Sequence, residues 1–162
     1  WQVCYTAAGK DQRRFSTSLM TTFTLDPRLD ADTIPILIEG TLSLRLVDDA
    51  RWPWLMVVPM VADLADADNV PESLRPALGR MLYRASALLK ALELCDSTNV
   101  ATLSNVVTQL HWHVVGRRAG DPGWPGPVWG HGQKVPYAED EAAALVARIR
   151  DAWDKGTSDQ TS

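Results

Sequence analysis

Between Gly40 and Pro59 the chain reads GTLSLRLVDDARWPWLMVVP, and this stretch limits the possible folds more than any other. Leu42, Leu44 and Leu46 alternate with Ser43 and Arg45, the period of two that marks a strand with one buried face. DDARWP then supplies turn residues, and WLMVV is an unbroken apolar run that Pro59 brings to an end. A strand with no polar side must be covered on both faces, which places the second strand near the centre of a sheet.

The remaining elements read around that pair. Asp26 is an N-cap and Pro27 a first helical residue, so a short helix is expected in LDPRLDADT. Residues 60–72 are acidic and irregular. Leu74, Leu78, Met81, Leu82, Ala85, Leu88, Leu89 and Leu92 then recur at helical spacing, with Ser73 or an earlier residue as cap and Pro76 tolerable only in the first turn. TNVATL and QLHWHVV read as two further strands about a turn at Ser104 and Asn105. AGDPGWPGPVWGHGQKVPY is a long ordered loop, expected to be anchored by Trp124 and Trp129. EDEAAALVARIRDAW is a helix, acidic at its start and with Arg148 and Arg150 near its end, as the macrodipole favours. The strands come in hairpin-like pairs without βαβ alternation, so the fold class is α+β on an antiparallel sheet.

A chain of 162 residues suits one domain. The net charge of −4, with 16 scattered Lys and Arg, excludes a nucleic-acid scaffold. Two cysteines, Cys4 and Cys95, make no disulfide framework and imply a reducing compartment, the cytoplasm. No run is long and apolar enough to span a bilayer. Residues 1–19 are basic and Ser/Thr-containing and are expected to form an extension or transit-like leader before Met20, with the domain over 20–155 and a flexible tail over 156–162.

Two of the three histidines stand one residue apart in TQLHWHVVGRR. On a strand, Gln109, His111 and His113 share one face while Leu110, Trp112 and Val114 take the other. Residues two apart on one face lie about 6.5–7 Å from each other. Imidazoles at that spacing can straddle a phosphate, one attacking phosphorus and the other bonding a non-bridging oxygen. The attacking nitrogen must be unprotonated, so its ring partner must give its hydrogen to a fixed acceptor such as a backbone carbonyl. An ordinary half-buried strand fits the same spacing. A metal site fits less well, because only His131, in a loop, and two distant cysteines remain as further ligands.

QLHWHVVGRR resembles the signature of the histidine triad (HIT) superfamily, in which three histidines alternate with apolar residues. FTLDPRLDADT, LSLRLVDDARWPWLMVVP, NVATLSNVVTQLHWHV and DPGWPGPVWG together are similar to a bacterial branch described as diadenosine tetraphosphate hydrolase-like, from about Phe23 to Trp153. The resemblance implies a HIT-like fold, an antiparallel sheet of about five strands with packed helices, usually dimeric. It also implies cleavage at a nucleoside α-phosphate through a nucleotidyl-histidine that water resolves. The nucleophile is then His111, and His113 contacts the phosphate being transferred. Gln109 stands where the family has its first histidine; an amide can hold geometry but cannot carry an imidazolium proton.

The resemblance further implies nucleotide contacts from Asn99, Asn105 and Arg117, and from Asp48 or Asp49 toward the ribose hydroxyls. In phosphoramidate-cleaving relatives a serine or threonine five residues before the nucleophile protonates the departing amine. Here that residue is Val106, with Thr108 the nearest substitute, which favours a polyphosphate leaving group. The expectation is a cytoplasmic homodimeric nucleotide hydrolase that requires no cofactor, with Mg²⁺ arriving on the substrate, and that binds neither membrane nor nucleic acid. The rivals are a non-catalytic nucleotide-binding or regulatory module, and a nucleotidyltransferase or phosphoramidate hydrolase.

Overall fold

In the computed structural model, which describes residues 22–158, the hairpin of the opening stretch is the middle of a five-stranded antiparallel sheet. The elements run α1 (Pro27–Ala31), β1 (Thr33–Glu39), β2 (Leu42–Val47), β3 (Trp54–Pro59), a 3-10 turn (Ala67–Asn69), α2 (Arg75–Ala91), β4 (Ser97–Ala101), β5 (Trp112–Arg117) and α3 (Glu139–Ser158). The strand order is β1-β2-β3-β5-β4, which puts β3 at the centre with every residue buried. The expected leader and Met20 lie outside the described residues.

The sheet has two unlike faces. Leu44, Leu46, Leu55, Val57 and Val114 pack with Leu78, Met81, Ala85 and Leu89 of α2 and with Val146, Ile149 and Trp153 of α3. Among the described residues the opposite face carries no long helix. There Met56 and Val58 meet Leu29 of α1, while Trp54 and Val115 meet Trp52 and Val128. Because side chains alternate along a strand, His113 falls between Val114 and Trp112 onto this second, thinly covered face.

Several expectations need correction. β2 is buried on both sides, not half-buried: Arg45 reaches under α1 and donates to Thr33 Oγ1 at 2.5 Å and Asp30 Oδ1 at 2.7 Å. β1 has no counterpart in the sequence reading. It is an edge strand whose ladder shifts between Pro35 and Leu37, as a proline without N–H requires. α2 starts from Leu74 with no side-chain cap, so Ser73 does not cap it, although Pro76 does fall in the first turn. α3 continues to Ser158, so residues 156–158 are helical, and 159–162 lie outside the described residues. Arg148 and Arg150 are therefore mid-helix; they donate to the carbonyls of Leu92 and Ile36 and tie α3 to its neighbours. In the long loop Trp129 packs inward, but Trp124 is 46% exposed, and Val128 serves as the buried anchor in its place.

Candidate active site

β5 begins only at Trp112, so His113 lies on the strand and His111 on the approach to it. That approach is pinned. Leu110 is buried in the helix-side core and its N–H donates to Leu64 O at 2.9 Å, while Thr102 Oγ1 donates to His111 O at 2.8 Å. His113 pairs with Met56 on β3 and Ala101 on β4, so its backbone is held from both sides. Both imidazoles are nearly buried, edge to face, with ring centroids 4.8 Å apart.

Each ring is bonded through Nδ1, with opposite polarity. His111 Nδ1 lies 2.7 Å from Gln109 O. A carbonyl only accepts, so this nitrogen carries the hydrogen, and Nε2 of a neutral His111 holds a lone pair. His113 Nδ1 lies 3.0 Å from Trp54 Nε1, which only donates, so here Nδ1 holds the lone pair and Nε2 the hydrogen. Burial, and then the neighbouring His111, push the His113 imidazolium down to about 3. An unfolded histidine protonates near about 6.5. Between these values the unfolded chain binds the extra proton, so the contribution of His113 to stability is whole above pH ~6.5 and is lost as the pH falls toward ~3. Relative to wild type, His113→Gln should therefore flatten the loss of stability from pH 6.5 to 4 by about 1.4 kcal/mol per pH unit, read from urea midpoints. Parallel slopes in the two proteins would exclude a buried neutral His113.

The two rings open into a cavity of about 340 Å³ whose lining includes Leu29, Val47, Met56, Val107 and Trp129, with Asp32, Asp49 and Lys134 as its charged groups. Such a hollow, apolar with a few polar groups, suits an organic ring bearing charge at one end. Lys134 Nζ bridges to Asp32 Oδ1 at 2.7 Å. Burial raises the Asp49 carboxyl, but hydrogen bonds from Arg51 and from Val135 N outweigh it and keep Asp49 below the usual carboxylate range. Trp129 stands edge-on to both Trp54 and His113, and its Nε1–H is buried without a hydrogen-bond partner, alone in this among buried side-chain polar atoms of the described residues. Larger hollows, about 550 Å³ beside Asp66 and Asn105, about 750 Å³ beside Tyr83 and Arg84 and about 490 Å³ beside Asp63 and Thr108, contain no histidine.

Of the catalytic and nucleotide-contact candidates read from the sequence, His111, His113 and Asp49 line this cavity, and Val106 and Trp129 border it with them. Gln109 does not share their face. Its Nε2 donates to Thr24 O and its Oε1 accepts from Asp26 N, both at 2.9 Å, so the side chain clasps the segment before α1. Asp48 is taken up by Tyr137 N at 2.9 Å and leaves the pocket to Asp49. Arg117, 2% exposed, donates twice to Asp121 at 2.8 Å, and also to Asn99 Oδ1 and Gly126 O. Asn99 and Arg117 thus brace the loop after β5, away from the histidines. Asn105 borders the 550 Å³ hollow, and Thr108 lies with Gln109 and Asp63 in another. His131 packs beside Trp52, its carbonyl bonded by Arg51. Among the described residues no group of three or more His, Cys, Asp or Glu is arranged to hold a metal ion.

Trp54 and Lys134 were missed, and Trp129 was read as a loop anchor and not as a wall of the site. The signal for Trp54 lay in the period of two along WLMVVP, which sets Trp54, Met56 and Val58 opposite Leu55 and Val57; only the β3–β5 register brings that face to His113.

The HIT domain family matches residues 31–120. Among solved structures, a histidine triad protein from Sinorhizobium meliloti is 44% identical, the match covering 82% of this chain and 98% of that one with a TM-score of 0.78. Histidine triad proteins from Bradyrhizobium japonicum (34% identity, 81% and 98% covered, TM-score 0.77) and Marinobacter aquaeolei (36%, 83% and 98%, TM-score 0.73) are similarly matched. No curated protein matches the chain. With its five-stranded sheet and paired histidines, the chain belongs to the HIT domain family, a superfamily of nucleotide-binding hydrolases and transferases.

Proposed function

We propose that the protein is a nucleotide hydrolase that cleaves at a nucleoside α-phosphate, with dinucleoside polyphosphates as the substrate class. The observation that carries this reading is the 2.7 Å bond from His111 Nδ1–H to Gln109 O, which leaves Nε2 as the unprotonated nitrogen beside the cavity. In the first step that lone pair forms a bond to phosphorus while the bond to the polyphosphate oxygen breaks. The leaving group departs as a stable anion, and the cationic imidazole keeps its Nδ1–H on the carbonyl. Water then forms a P–O bond as the P–N bond breaks, the nucleoside monophosphate leaves, and the water proton passes to solvent.

The glutamine at position 109 does not weaken this reading. The group that holds the nucleophile is a backbone carbonyl, which any residue supplies, and the amide side chain is engaged elsewhere. The leaving-group preference is supported by Val106, which lines the cavity with no proton to offer, while Thr108 belongs to a separate hollow. The reading carries with it the diadenosine tetraphosphate hydrolase-like branch, a homodimer, a cytoplasmic location and Mg²⁺ brought by the substrate. Among the described residues no helix is long and apolar enough to cross a membrane.

The test is mass spectrometry of enzyme quenched shortly after mixing with diadenosine tetraphosphate. The expected result is an AMP adduct confined to His111, with ATP as the departing group, followed by release of AMP; the substrate is symmetric, so attack at either end gives the same pair. Binding without an adduct supports a regulatory module, and product formed only with an added acceptor supports a transferase. Faster turnover of an adenosine phosphoramidate overturns the leaving-group preference.

A further inference from the structure

Trp54 opens β3, is 8% exposed, and sits diagonally across the β3–β5 ladder from His113, which pairs with Met56. Its indole ring lies 5.4 Å from the His113 ring, centroid to centroid, and its N–H donates to Nδ1 at 3.0 Å. The indole has little freedom to turn away. Trp129 stands edge-on at 5.9 Å and Trp52 at 6.2 Å. Trp129 also lies 5.5 Å from His113, so the imidazole is walled by indole on two sides. A tryptophan N–H can only donate, so it selects one of the two neutral imidazole tautomers.

We propose that Trp54 is a positioning residue that fixes His113 with Nδ1 as acceptor and Nε2–H as donor, so that the two histidines offer unlike Nε2 atoms to one phosphoryl group. His111 presents a lone pair because a carbonyl holds its Nδ1–H, and His113 presents a hydrogen because an indole fills its Nδ1 lone pair. The first can bond phosphorus; the second can bond a non-bridging oxygen, where charge develops in the transition state. An imidazolium at His113 would need a hydrogen on Nδ1, pointing at the indole N–H. Burial acts in the same direction, keeping the ring neutral down to about 3. The other ionisable groups on the cavity are His111, Asp49 with its partner Arg51, and the Asp32–Lys134 pair. The tautomer assignment stands on geometry alone, while its use on a phosphate rests on the proposed function.

The experiment uses the full chain labelled with ¹⁵N-histidine, and two-bond ¹H–¹⁵N correlation spectra from pH 4 to 9, with the His113 signals assigned through His113→Gln. Wild type should show His113 as the Nε2–H form, without titration across that range. Two variants remove the N–H: Trp54→Phe, and a chain carrying β-(3-benzothienyl)alanine at position 54, which keeps the bicyclic shape with sulfur in place of N–H. In each, His113 should become a mixture of tautomers, and its protonation should move up the pH scale by about one unit or more. With a nucleotide substrate, kcat should fall on the order of tenfold with KM little changed, as expected when an oriented donor acts mainly in the transition state.

A His113 that carries its hydrogen on Nδ1 in wild type, or a spectrum unchanged in the folded benzothienyl protein, overturns the proposal. The spectra decide this whether or not the enzyme turns over. If they agree while quenched enzyme shows no His111 adduct, the positioning role stands and the hydrolase reading fails.

Discussion

His111→Ala is expected to abolish the nucleotidyl adduct and to lower kcat by on the order of 10⁴-fold or more, with nucleotide still bound. The size follows from what remains in the cavity. His113 has its Nδ1 lone pair occupied by Trp54 and its Nε2 protonated. Asp49 is held by Arg51 at 2.6 Å and by two backbone N–H groups, and Lys134 is bridged to Asp32 at 2.7 Å. None of these can take over the attack without first breaking its own bonds. The backbone at position 111 is fixed independently of the ring, through Thr102 and the buried Leu110 beside it, so the variant should fold with a melting temperature close to wild type. His111→Gly with added imidazole should recover part of the rate, because the missing nitrogen can be supplied from solution. Adduct formation on any residue of His111→Ala would remove the nucleophile assignment.

Arg117→Met is expected to act in the opposite way, costing about 3–5 kcal/mol of stability while leaving KM nearly unchanged. The guanidinium is buried and makes four hydrogen bonds, to Asp121, Asn99 and Gly126. Removing it strands the Asp121 carboxylate, whose side chain is only 10% exposed, and leaves a carbonyl and an amide oxygen with one fewer donor. For a domain of this size the loss corresponds to a fall of roughly 10 °C in melting temperature. Pairing it with Asp121→Leu should return part of that loss, since it is the uncompensated charge that does most of the damage. An arginine that bound substrate phosphate would show the reverse pattern, a raised KM at nearly constant stability. Thermal melts and steady-state kinetics on the same preparations separate the two.

That contrast shows where sequence reading reached and where it stopped. β3 could be identified as central because WLMVV has no polar side, and α2 because its leucines keep helical spacing over more than four turns. β1 escaped because Pro35 interrupts TIPILIE and its residues alternate in burial only irregularly, as an edge strand with a shifted register allows. His111 and His113 were legible from their spacing, but the atoms that set their hydrogens were not. One is a backbone carbonyl, invisible in any sequence, and the other is an indole 59 positions away that only the sheet register brings close. Gln109, Asn99 and Arg117 carried polar groups at positions matched by resemblance, yet a side chain's partners depend on three-dimensional packing. Here Thr24, Asp26, Asp121 and Gly126 claim them first.

Gln109 joins the segment before α1 to the approach to β5, beside the Arg28–Val106 hydrogen bond and the packing of Phe23, Leu25 and Val107 in one cluster. Its main-chain oxygen accepts from the His111 ring, and its side chain bonds Thr24 and Asp26. Force applied to the chain ahead of Phe23, by a fused domain or a surface tether, therefore has a route of one residue to the bond that orients the proposed nucleophile. An enzyme immobilised through that end should lose turnover under load before its sheet yields, and one held by α3 should not.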